Sequence, residues 1–281
     1  MSFQRALAWS IFWIGLSLLV AVGIYSYFGP APAEAFLTGY TLEKALSVDN
    51  LFVFLMIFTY FNVKREAQRR VLNFGLIGVL ILRGILILAG IALVERFAWI
   101  LYLLGAVVLY SGFVMAFGGE KQFDPKKSRT IKLVSRFIHV SHEHHGVRFF
   151  FRENGHLVAT PLFLVVAVIE VTDVIFAVDS IPAILAVTRD PIIVFSSNML
   201  AILGLRSLYF LLLRAHDAFR FVKQGVGVIL WFIGIKMILP AFVPGFEISN
   251  TVALGVVLII LTVSVVLSVV IRKPNDGNDH R

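Results

Sequence analysis

The chain has 281 residues, 59% of them hydrophobic and 15% charged, with a formal net charge of +8 and no cysteine. Mean hydropathy is +0.89, whereas a soluble domain carries roughly 25% charged residues, so a water-soluble enzyme is excluded. Without cysteine there is no disulfide framework, thiolate metal site or thiol redox centre, and the basic excess requires no nucleic-acid partner, since in a membrane protein Lys and Arg chiefly set orientation.

A bilayer core of about 30 Å needs about 20 apolar residues per helix. The sequence offers eight such segments, at 7–28, 38–61, 72–94, 99–118, 158–187, 192–213, 225–243 and 251–271. The first has an apolar run longer than a signal-peptide core, and Pro30, Pro32 and Glu34 make a poor cleavage site, so it is read as a helix. In the fifth, Pro161 and Pro182 are expected to mark the limits or a break. Between the fourth and fifth, residues 119–157 form a basic linker, too short for a core of its own and suited to a surface helix.

Lysine and arginine sort by side. With the N-terminus on one side of the membrane, that side collects 19 of the 25, the other side only Arg96 and Arg189, and Lys44, Arg83, Arg206 and Lys236 fall inside helices. Both termini and the linker are therefore expected in the cytoplasm.

The sequence also repeats. EKALSVDN aligns with DVIFAVDS, placing Glu43, Asp49 and Asn50 over Asp173, Asp179 and Ser180. In the following helices Arg83 matches Arg206, and Gly105, Gly112 and Met115 match Gly227, Gly234 and Met237. The expected fold is all-α: two three-helix repeats, 38–118 and 158–243, flanked by extra helices at 7–28 and 251–271. Because three is odd, the repeats enter from opposite sides, the inverted arrangement that puts a transport site near the midplane.

Five acids, Glu43, Asp49, Glu170, Asp173 and Asp179, lie in apolar segments, where one charge costs about 2.5 to 3.5 kcal/mol on insertion scales. Glu43 and Asp49 lie about 120° apart and about 9 Å along the axis, so they cannot share an ion on a straight helix. A two-fold axis would instead set Asp49 beside Asp179, with Asn50 and Ser180 supplying neutral oxygens, while Glu170 and Asp173 share a face. Such an oxygen set suits Mg²⁺, Ca²⁺ or Mn²⁺, and Met115 and Met237 are read as core filler. The competing reading is an ionic core, with Arg83, Arg206, Lys44 and Lys236 balancing the acids.

The strings EKALSVDNLFVF, EVTDVIFAVDSIPAILAVTRDP and SSNMLAILGLRSLYF resemble the signatures of the TerC family of bacterial integral membrane proteins, which includes an alkali-inducible Alx type. The resemblance implies a relation to lysine-exporter-like transporters of the inner membrane and association of the Alx type with manganese export. It also implies functional roles for Glu43, Asp49, Asn50, Glu170, Asp173 and Asp179, with Asn198 and Arg206 in the third string. Family labels of tellurite resistance and redox modulation imply a second reading, a membrane partner acting through other proteins. A third, an intramembrane hydrolase using Asp49 with Asp179, lacks a GxGD motif or a nucleophile beside a base.

The leading expectation is thus a non-enzymatic exporter of Mn²⁺, with Mn²⁺ as transported ion rather than bound cofactor and the lipid bilayer as its other partner. Proton exchange through the same carboxylates accompanies this reading, and the sequence leaves the oligomeric state open. The loop cluster His139, His142, Glu143, His144 and His145 reads first as a solvated face, and Asn73 as a helix cap.

Overall fold

The computed structural model describes residues 3–118, 128–137, 148–153, 156–213, 221–243, 245 and 247–271. The chain runs α1 (Phe3–Phe28), α2 (Pro30–Tyr60), α3 (Arg65–Arg96), α4 (Ile100–Phe117), α5 (Arg129–Phe137), β1 (Phe150–Glu153), β2 (His156–Ala159), α6 (Pro161–Leu185), α7 (Pro191–Leu203), α8 (Leu205–Leu212), α9 (Val222–Phe242) and α10 (Asn250–Val270). This is an all-α polytopic membrane architecture. Among the described residues, α1, α3, α4, α6, α7 with α8, α9 and α10 give seven units long and apolar enough to cross a membrane.

The eighth expected span is α2, which fails the apolarity test because any stretch of it long enough to cross contains at least three of Glu34, Glu43, Lys44 and Asp49. Its surroundings explain how it tolerates them. α2 packs against α1, α6, α7, α8, α9 and α10, so protein rather than lipid surrounds most of its length. The lipid-facing role falls to its neighbours, which leave Ile11, Leu19, Val22, Ile77, Ile81, Leu88, Ile259 and Val263 exposed, a surface untenable in water.

Helix ends follow local chemistry. α2 starts eight residues earlier than expected because Gly29, at φ +88, turns the chain and Pro30 occupies the first helical turn. Thr160 caps α6 by accepting from the Phe163 amide, with Pro161 next, whereas Pro182 lies inside α6 rather than ending it. Asp190 caps α7 by accepting from Ile192 N and Ile193 N at 2.9 and 3.2 Å. The break that does occur falls at Gly204, between α7 and α8, inside the segment read as continuous.

The linker holds more than a surface helix. α5 lays Ile131 and Val134 against α6, and an antiparallel hairpin pairs Phe150 with Ala159 and Arg152 with Leu157. Phe150 packs at a tilt against Phe163, which seats this hairpin at the mouth of α6. The histidine cluster and Glu143 lie outside the described residues.

Three pairings dominate the packing: α4 with α9, α3 with α6, and α2 with α7. Exchanging the triplet α2, α3, α4 for the triplet α6, α7–α8, α9 leaves that set of pairings unchanged. At the α4–α9 crossing, backbones meet through the matched glycines. A Cβ on Gly112 would come within 2.8 Å of the Gly227 carbonyl, and one on Gly234 within 2.7 Å of Leu109 Cα. Met237 packs against Gly105 and Met115 lies partly buried against the core, the filler role expected of both.

Candidate functional site: a buried carboxylate–arginine cluster

The three pairings bring one face each of α2, α3, α6 and α7 to a common point, and the residues there are polar. Arg83, fully buried on α3, donates from Nε and Nη2 to Asp173 Oδ2 and Oδ1 at 2.8 and 2.9 Å, a two-point grip on α6. Its Nη1 donates to Glu43 Oε1 on α2, and more weakly to Asn198 Oδ1 at 3.3 Å and Ser180 Oγ at 3.4 Å. Asn198 on α7 closes the ring by donating from Nδ2 to Glu43 Oε2 at 3.1 Å, and Ser47 reaches Glu43 Oε1 at 3.5 Å.

Glu43 and Asp173 are each 2% exposed. These are the two acids that the repeat makes equivalent, and a single arginine bonds both. Formally two carboxylates and one guanidinium leave one negative charge in surroundings with little water to screen it. The cluster offers oxygens only, apart from the arginine and one amide, so it would favour a hard cation over Cu⁺ or Zn²⁺.

The remaining sequence-predicted residues are placed around this core. Glu170 sits one turn before Asp173 and faces the same helix, as their spacing predicts. Both its oxygens are buried without a hydrogen-bond partner among the described residues, pressed on Gly75 and Gly78, where a Cβ on Gly78 would come within 2.6 Å of the carboxylate. Asn50 is buried.

Asp49 and Asp179, expected side by side, take partners on different helices. Asp49, 15% exposed, lies 3.7 Å from Lys223 on α9, and Asp179 accepts from Ser111 on α4 at 2.8 Å. Each therefore turns to the third helix of the opposite triplet, a direction that a helical wheel on α2 or α6 alone does not reveal. Among the described residues, no group of three or more His, Asp or Glu is close enough to hold one metal ion.

The ionic-core reading is realised for one cation of its four. Lys44, beside Glu43 in sequence, turns away and donates to the Ala201 carbonyl at 3.0 Å. Lys236 donates to Asn250 Oδ1 at 2.7 Å, and Arg206 to Asn73 Oδ1 at 2.7 Å. Asn73 and Asn198 thus work as side-chain partners from within α3 and α7, and Asn73 is not the cap expected of it. Sequence reasoning missed Ser47, Ser111 and Lys223. A polar residue in the otherwise apolar stretch of α4 was the one available signal, at Ser111.

A family model described as "Integral membrane protein TerC family" matches residues 28–276. The chain belongs to the TerC family. Among curated TerC relatives, "Putative membrane-bound redox modulator Alx" of Photorhabdus laumondii is 47% identical, covering 97% of this chain and 87% of its own length. The protein of the same name from Escherichia coli K12 is 44% identical over 98% of this chain and 88% of its own. "Thylakoid membrane protein TERC, chloroplastic" of Arabidopsis thaliana is 46% identical over 94% of this chain and 68% of its own. No solved structure matches.

Proposed function

We propose that this TerC-family protein is a secondary transporter of the bacterial inner membrane that exports a divalent cation, Mn²⁺, with both termini in the cytoplasm. The observation that carries the reading is Arg83 held between Glu43 and Asp173, the equivalent acids of the two triplets, at a buried point where both triplets contribute. A buried cluster with one negative charge in excess, built from both triplets, is what an ion site at the meeting point of inverted repeats would need. Arg83 then acts as a tethered cation: the arriving ion competes with its guanidinium for the carboxylates, and the guanidinium returns when the ion leaves. Asp49, Asn50, Glu170, Asp179 and Ser180 serve the ion in succession around this centre, because in this conformation no three acids converge among the described residues.

The chain has no cysteine, so a redox role of the kind named in the relatives would have no thiol to act through. Oxygen ligands compete weakly for metals that gain more from nitrogen or sulfur, and Mg²⁺ sheds its water reluctantly, which leaves Mn²⁺ as the preferred cargo. The test is flux. Purified protein in sealed vesicles is expected to move Mn²⁺ in preference to Zn²⁺ and Cu²⁺, and cells expressing it to hold less Mn²⁺ by mass spectrometry. Absence of Mn²⁺ flux in vesicles, together with unchanged cellular Mn²⁺ on expression and on deletion, would make the assignment wrong.

A further inference from the structure

Arg83 and Arg206 occupy matching places in the sequence repeat, yet the structure treats them differently. Arg83 lies in an unbroken helix with its guanidinium inside the acid cluster. Arg206 lies at the start of α8, a helix of eight residues cut from α7 at Gly204, and bonds Asn73 instead of a carboxylate.

Beside Arg206 there is a small space. A cavity of about 20 Å³ is walled by Arg206 and Leu205 on α8, Leu51 on α2, Gly75 and Val79 on α3, and Ile169 on α6. Val79 is one turn from Arg83, Ile169 one turn from Asp173, and Leu51 adjoins Asn50. The cavity, with room for about one water, thus stops about one turn short of Arg83 and Asp173 and about two turns short of Glu43. On the same wall, Gly75 touches Glu170, whose carboxylate has no partner among the described residues.

A hinge for moving α8 is also in place. The Ala201 carbonyl at the α7–α8 break accepts from Lys44, and a Cβ on Gly204 would collide with the Lys44 ammonium. Lys44 follows Glu43 directly, so the break and the cluster are joined through two consecutive residues of α2.

We propose that Arg206 is the second counter-cation of the acid cluster: once the ion that displaced Arg83 has left, α8 turns about Gly204 and swings Arg206 away from Asn73 toward the carboxylates of Asp173 and Glu43. This inference rests on the transport reading above. The two equivalent arginines alternate, so the buried carboxylates keep a counter-cation in both end states of the cycle. Arg206 is a positioning residue, since its place at the end of the cycle fixes which way α8 lies. Exchange of the two triplets maps Arg83 with Asp173 onto Arg206 with Glu43, and the contact of Ser180 with Arg83 onto one of Asn50 with Arg206.

The experiment uses the full chain in vesicles with Mn²⁺ as probe, and compares wild type, Arg206→Gln and Arg206→Lys. The Gln variant is expected to fold with wild-type thermal stability, because the cluster keeps Arg83, but to lose Mn²⁺ flux by about a hundredfold, the scale set by a buried carboxylate without its counter-charge. The Lys variant, which keeps the charge, recovers part of the flux. Because the chain lacks cysteine, Leu51→Cys with Leu205→Cys gives a second readout across the cavity. Their cross-linking rate is expected to change on adding Mn²⁺, and to stop responding when Arg206→Gln is added. Wild-type flux undiminished in Arg206→Gln, or a cross-linking rate indifferent to Mn²⁺ in a transporting protein, would overturn this inference alone. No flux in wild type would overturn it together with the transport reading.

Discussion

The guanidinium of Arg83 meets the carboxylate of Asp173 edge to edge, with Nε and Nη2 donating to separate oxygens at 2.8 and 2.9 Å. That planar match is specific to arginine, since a lysine ammonium is a point donor on a flexible stem. Arg83→Gln leaves Glu43 and Asp173 buried without their shared cation and is expected to destabilise the protein by about 3 to 5 kcal/mol. Arg83→Lys is expected to fall between it and wild type. Thermal unfolding of the detergent-solubilised variants checks both, and an Arg83→Gln protein as stable as wild type would deny the cluster its structural weight.

Asp49 presents the opposite case. Its pairing with Lys223 at 3.7 Å is partly open to solvent, and such pairs contribute about 0 to 1 kcal/mol. Asp49→Asn and Asp179→Asn are therefore expected to insert normally and to unfold within about 1 kcal/mol of wild type, yet to lose Mn²⁺ flux. Glu143→Gln and His145→Ala are expected to transport like wild type. Equal loss of protein level in all four variants would point to an ionic core in place of an ion path.

At the α4–α9 crossing the backbones are so close that any side chain on Gly112 meets the Gly227 carbonyl. Gly112→Leu is expected to force the helices apart and destabilise the fold by about 1 to 3 kcal/mol or more, the range for overpacking. Gly255, with nothing near its absent side chain, serves as the control, and Gly255→Ala should leave unfolding unchanged. Melting curves of the two variants decide the matter.

The charge asymmetry yields a topology test. Leu133→Cys on exposed α5 should react with a membrane-impermeant maleimide only after the cells are opened, whereas Trp99→Cys between α3 and α4 should react in intact cells. External labelling at Leu133→Cys would reverse the orientation.

What the sequence made legible is what depends on composition and spacing. Apolar runs located the helices, Pro161 marked the start of α6, and the period of three set Glu170 and Asp173 toward one neighbour. Which acid meets which cation was beyond it, because that depends on helix–helix rotation. The sequence set Asp49 beside Asp179, while the fold turns them to Lys223 and Ser111. Of the four cations that could balance the acids, Glu43 meets Arg83 and not its sequence neighbour Lys44, since consecutive residues on a helix point in different directions. The break at Gly204 had only an isolated glycine to announce it, and matched glycines elsewhere sit in unbroken helices for close packing.

The central position of α2 bears on how the protein is made. Each Asp or Lys at the middle of a helix opposes release from the insertion machinery by about 2.5 to 3.5 kcal/mol, so α2, with Glu43, Lys44 and Asp49 together, has no stable home in lipid by itself. Its enclosure needs α6, α7 and α9, all synthesised after the first half of the chain, and the hydrogen-bonding Asn198 and the cationic Lys223 come later still than Arg83. The nascent chain must hold α2 at the edge of the channel, or against a chaperone, until its second half arrives. A chain truncated before Pro161 is expected to leave α2 unprotected from protease in isolated membranes, while α1, α3 and α4 remain inserted.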